Sequence, residues 1–221
     1  PFCGCGTTID AAQRLGRRWI GIDITHLAIN LIRFRLQGAY GEDIKSSYKV
    51  VGEPTTVEDA AQLAREDPWQ FQAWALGLVG ARQAGSDRKG GDKGIDGRLY
   101  FTEDGRNVGQ VVLSVKAGAM QPTYVDALIG VVQKTGAQVG ALISFNEPTR
   151  GMRSIAASAG FYESHTWGKF PAIQLLTVEG LLKGTQQLKY PKARGSNITF
   201  PRAGRRTEVV GDEMELPLAT T

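Results

Sequence analysis

Apolar residues recur between positions 57 and 81 at Ala60, Leu63, Ala64, Phe71, Ala75 and Leu78, the spacing of helical faces. One continuous helix is excluded by Pro68, which lacks an N–H and pushes Asp67 out of the helical region. The spacing therefore predicts two helices, the second with Asp67 as N-cap and Pro68 at its first position. The periodicity then shortens. Residues 98–102 and 109–116 are rich in β-formers and flank Glu103-Asp104-Gly105-Arg106-Asn107, which predicts a hairpin. A helix is expected over 122–135, a buried strand over 139–145 (VGALISF) and a helix over 149–159 stopped by Gly160. A strand over 172–177 and a short helix over 178–183 follow. Strands alternating with helices after a hairpin imply an α/β fold, a mixed β-sheet flanked by helices.

The first 38 residues have a different texture. A Gly-rich turn, PFCGCGTT, leads to a helix over 8–15, a strand over 17–23 (RRWIGID) and a second helix. Residues 39–56 mix Gly, Ser, Lys and Pro and read as a linker. The second α/β pattern fills 57–185, interrupted by a Gly-rich loop over 85–97 that carries Arg88, Lys89 and Lys93. In the tail, 186–221, charge separates. Starting just ahead of that tail, Lys183, Lys189, Lys192, Arg194, Arg202, Arg205 and Arg206 precede the acids, which begin at Glu208; this basic stretch reads as a non-specific DNA or RNA tether or a disordered tail.

The 221 residues carry a net charge of +4 and a pI near 9.1, which permits a nucleic-acid partner without requiring one. No apolar run is long enough for a transmembrane helix, and the first residues lack a signal-peptide pattern, so a cytoplasmic location is expected. Cys3 and Cys5 are too close to bridge, and two Cys with two distant His do not make a zinc site.

Two constellations carry candidate chemistry. In the first, the glycines of Phe2-Cys3-Gly4-Cys5-Gly6-Thr7-Thr8 allow a tight turn and close approach to a ligand. Asp23, at the end of the following strand, suits a ribose hydroxyl. The string PFCGCGTT…RRWIGIDI resembles the cofactor motif of DNA amino-methyltransferases acting on adenine N6 or cytosine N4. The resemblance implies S-adenosylmethionine as cofactor, lined by Phe2, Gly4, Gly6 and Thr7 and held by Asp23. The family's Asp-Pro-Pro-Tyr-type catalytic segment is not in this sequence, so methyl transfer is expected of a longer parent, with 1–38 as a fragment.

The second constellation is Asp96, at the mouth of the hairpin, with Ser114 and Lys116 at its far end. Side chains alternate along a strand, so Val112, Ser114 and Lys116 share a face, and a hairpin register brings Asp96 beside Ser114 and Lys116. Phosphodiester hydrolysis uses a divalent metal held by hard oxygens, here the Asp96 carboxylate and the Val115 carbonyl, with Lys116 orienting water and stabilising charge. The stretch DKGIDGRLYF…VVLSVKAG resembles the PD-(D/E)xK nucleases, most closely the Mrr-like restriction endonucleases, over about 57–183. By that match Asp96 is the metal ligand, Ser114 stands at the Glu or Gln position, Lys116 is the motif lysine, and Gln72 replaces a helix acid. Asp92 and Glu66 are reserve carboxylates.

The resemblance implies Mg²⁺-dependent cleavage of double-stranded DNA by a restriction–modification protein, with homo-oligomers open. The alternative is a DNA-binding accessory domain that does not cut. His26 reads as a neighbour of a helix cap, His165 as an exposed loop residue, and Trp69 and Trp74 as core.

Overall fold

The computed structural model describes residues 1–84, 94–192 and 196–200. Arg88, Lys89, Asp92, Lys93, Arg194, Arg202, Arg205, Arg206 and the acidic end of the tail lie outside the described residues.

The two expected helices form. Helices α1 (Thr7–Arg14) and α2 (His26–Tyr40) belong to the first segment, and α3 (Val57–Glu66) opens the second with a capping box between Thr56 and Asp59. In α4 (Pro68–Leu78) the Asp67 carboxylate accepts from the N–H groups of Trp69 and Gln70, as the Asp-Pro pair predicts.

Strands β1 (Arg82–Gln83), β2 (Gly97–Thr102) and β3 (Val108–Lys116) follow, then α5 (Pro122–Thr135), β4 (Val139–Ser144) and α6 (Arg150–Ser158). The chain continues through β5 (Phe161–Ser164), β6 (Gly168–Pro171), β7 (Ile173–Thr177) and α7 (Val178–Leu182). The five-stranded sheet runs β1-β2-β3-β4-β7, antiparallel from β1 to β3 and parallel from β3 to β7.

Helices cover both faces. On one, Phe71, Trp74 and Leu76 of α4 pack on Leu99, Phe101, Val111, Leu113 and Ile143. On the other, Val125, Leu128 and Met152 of α5 and α6 pack on Val112, Leu142 and Ile173. Burial on both sides is why β4 reads as an almost unbroken apolar run.

The structure corrects the sequence reading at several points. Residues 17–23 do not form a strand. The rung from the Cys3 N–H to the Ile22 carbonyl, at 3.2 Å, has no ladder around it among the described residues. A strand needs neighbours to satisfy its backbone, and here Ile20, Ile22 and Ile24 face solvent. The stretch around His165 is a two-stranded hairpin, β5–β6, with His165 exposed in its turn. Trp74 is core but Trp69, in the first turn of α4, is 52% exposed.

The segment expected to be a linker holds a short 3-10 turn (Glu42–Ser47) with Ile44 buried. The first part of the tail is packed, with Leu188 and Tyr190 in the main core. Residues 196–198 extend the sheet edge: the Thr102 N–H donates to the Ser196 carbonyl and the Ile198 N–H to that of Tyr100.

Helix α2 lies directly on α4. The buried Asn30 amide donates to the Ala73 carbonyl at 3.0 Å, the His26 N–H donates to Gln70 Oε1 at 3.0 Å, and Phe34 stacks on Phe200 at 4.1 Å. Gly77 makes this approach geometrically feasible, since a Cβ there would lie 2.3 Å from the Asn30 amide.

Two packed phenols set an alkaline limit. Burial pushes Tyr190 up to about 12, and burial together with the Glu103 carboxylate pushes Tyr162 up to about 12. Both folded values lie above the unfolded phenol's, near 10. Their contribution is therefore complete below about pH 10 and is lost as pH rises through about 12. Tyr162→Phe is expected to flatten the fall in urea stability between about pH 10 and 12; an unchanged slope would contradict the assignment.

Candidate functional site

The β2–β3 register pairs Gly97 with Leu113, which places Asp96 opposite Ser114, and the Asp96 N–H donates to the Leu113 carbonyl at 2.8 Å. One carboxylate oxygen, Oδ2, collects the local donors. It accepts from the Ser114 hydroxyl at 3.0 Å and the Val115 N–H at 2.7 Å, and Lys116 Nζ lies 3.7 Å away. The ammonium also sits 5.5 Å from the Tyr124 ring centroid on α5. Ser114 is buried, while the Lys116 and Asp96 side chains keep 31% and 22% exposure. The hairpin thus brings together Asp96, Ser114, Val115 and Lys116.

Gln72 joins this group indirectly. Its Oε1 accepts from Gln83 Nε2 at 2.7 Å. Gln83, on β1, pairs with Gly97, and the next residue, Ala84, donates its N–H to the Asp96 carbonyl at 3.0 Å. Gln83 is buried, and its Oε1 has no hydrogen-bond partner among the described residues. Sequence reading missed it, because a two-residue strand before a Gly-rich loop gives almost no periodic signal. Glu66 stays on the exposed face of helix α3, accepting from Gln62 at 2.7 Å.

The donor set does not fit a resident Mg²⁺. That ion wants several hard oxygens in an octahedron. Among the described residues the group brings the Asp96 carboxylate, with Oδ2 already facing two hydrogen-bond donors and an ammonium, and neutral Ser114 and Gln72 stand at the other positions. Among the described residues no group of three or more His, Cys, Asp or Glu is placed to hold a metal.

At the N-terminal turn, the Gly4 N–H donates to Asp23 Oδ2 at 2.9 Å, and the N–H and hydroxyl of Thr25 each donate to Oδ1 at 3.1 Å. Desolvation opposes the charge of Asp23, but these donors outweigh it and hold the carboxyl below its ordinary range. Gly6 adopts φ 77°, and a Cβ there would meet Ile32 at 2.7 Å, so only glycine starts α1 this close to α2. Thr7 opens α1, and Phe2 is turned to solvent. Asp23 Oδ2, with one internal donor, can still accept a ribose hydroxyl. Asp23 is the residue that would hold the ribose of S-adenosylmethionine, and that cofactor, when bound, would supply an activated methyl group from its sulfonium.

A third polar cluster was not foreseen. Glu53, from the stretch read as a linker, is mostly buried against Arg33 and His26, with His26 Nδ1 3.8 Å from Oε1. Desolvation pushes its carboxyl up, yet His26 and Arg33 together hold it below the usual range. Among the described residues, no helix is long and apolar enough to cross a membrane.

A mixed five-stranded sheet entered by an antiparallel hairpin and covered by helices on both faces is consistent with a restriction-endonuclease-like core. The chain belongs to the family described as NACHT-associated inactive Restriction Endonuclease 1, whose model matches residues 69–183, just over half of the sequence. Residues 1–34 match the N6/N4 DNA methylase family, which implies S-adenosylmethionine use by that segment. The two segments together support a restriction–modification context. No curated protein and no solved structure matches the chain.

Proposed function

We propose that this chain is a non-cleaving DNA-binding accessory module, joined to a methylase-type arm (residues 1–38) in a restriction–modification protein. The observation that carries the reading is the donor set of the centre: Asp96 faces the neutral Ser114 and the ammonium of Lys116, and among the described residues no group of three or more His, Cys, Asp or Glu is placed to hold a metal. Without a divalent ion, the centre among the described residues has only the Lys116 ammonium, already beside Asp96, to meet a developing phosphorane, and it lacks the Lewis acid that would lower the pKa of water. The matched family is itself described as inactive. Its description also names a NACHT association, whereas in this chain the N-terminal neighbour is a methylase-type segment.

Support for DNA is electrostatic and by class. The chain is basic, with pI near 9.1. Its fold is that of enzymes acting on DNA, whose phosphates attract a basic partner. The Mrr-like, Mg²⁺-dependent endonuclease reading draws on the same Asp96–Lys116 proximity and is the outcome that the assay separates.

Supercoiled plasmid should remain intact with Mg²⁺ or Mn²⁺, while fluorescence anisotropy shows duplex binding that weakens steeply with salt. Nicking by the wild type that disappears in Lys116→Ala would establish the cleaving reading. No binding even at low salt would remove DNA as the partner.

A further inference from the structure

We infer that the Asp96 centre is a metal-free, charge-balanced staple in which the Lys116 ammonium takes the place of a divalent cation and Ser114 is the residue that makes this workable. The inference deepens the non-cleaving reading and rests on it only for the absence of chemistry. Among the described residues the charges at the centre are one carboxylate and one ammonium 3.7 Å apart, with Ser114 and Gln72 neutral. They cancel without an added ion. A cluster of two carboxylates would not, because like charges at close range cannot both stay ionised without a cation.

Ser114 is buried and points its hydroxyl at Asp96 Oδ2. A glutamate in its place would direct a second negative charge at that oxygen. The Val115 N–H occupies the same oxygen at 2.7 Å, so the side chain binds protein donors where a metal ligand would present its lone pairs. The staple ties the segment ahead of β2 to the end of β3. Gln83 closes the group from β1, through Gln72 and through pairing with Gly97.

Thermal melting of the whole chain in EDTA and in millimolar Mg²⁺ or Mn²⁺, with calorimetric titration of each metal, tests the assignment. The wild type should melt at the same temperature in all conditions and show no saturable heat. Lys116→Met should melt roughly 5 °C lower in EDTA and recover part of that with Mn²⁺, because the carboxylate then lacks its counter-charge. Ser114→Glu should become metal-dependent in the same way.

A saturable rise in wild-type melting temperature with Mg²⁺ that vanishes in Asp96→Asn would overturn the inference, as would a Lys116→Met variant indifferent to both EDTA and metal. If Ser114→Glu does not fold, the wild-type titration and Lys116→Met still decide. A wild type that ignores metal but binds no DNA would overturn only the DNA reading; one that binds Mg²⁺ at Asp96 yet never cuts would overturn only the staple.

Discussion

Asp96→Ala is expected to cost about 3 kcal/mol of stability, measured by urea denaturation at neutral pH. The substitution strands three groups at once: the buried Ser114 hydroxyl, the Val115 N–H and the Lys116 ammonium. Each unsatisfied donor costs about 1–3 kcal/mol, and the partial exposure of Lys116 lets water replace some of what is lost. For a chain of this size the melting temperature should fall by roughly 10 °C. A solvated metal ligand with no structural role would leave stability nearly unchanged on the same substitution.

The second large effect lies at the contact between the methylase-type arm and the nuclease-like domain. Gly77→Ala places a methyl group 2.3 Å from the Asn30 amide, inside a helix–helix contact that has no room for it. Overpacking of this kind costs about 1–3 kcal/mol, which outweighs the roughly 1 kcal/mol that alanine gains over glycine in a helix. Asn30→Ala removes the obstructing amide. The double variant is therefore expected to be more stable than the two single losses added together, with a coupling of at least about 1 kcal/mol. Strict additivity would mean that α2 does not sit on α4 as described. The same contact predicts a single calorimetric unfolding transition for the arm and the domain.

Much of the nuclease-like domain was legible because its signals are local. The Asp67-Pro68 pair marks the start of α4, the polar turn at 103–107 marks the β2–β3 hairpin, and VGALISF is short and apolar enough to be a buried strand. The proximity of Asp96, Ser114 and Lys116 followed from strand alternation and one hairpin register.

What escaped was non-local. RRWIGID has the composition of a strand, but pairing depends on neighbours that no described residue supplies. Leu188 and Tyr190 lie in a stretch that reads as a basic tail, because two apolar residues among glutamines, lysines and one proline carry no period. The docking of α2 on α4 depends on one asparagine opposite one glycine, a match invisible until the helices are placed. Gln83 and Glu53 acquire meaning only from residues distant in sequence: Gly97 and Gln72 for the first, His26 and Arg33 for the second.

Anomalous diffraction from crystals soaked in Mn²⁺ examines the heart of this picture. No peak should appear within coordinating distance of Asp96, and Lys116 Nζ should remain beside Oδ2. A manganese ion seated between the Asp96 carboxylate and the Val115 carbonyl, with Lys116 swung away, would contradict it.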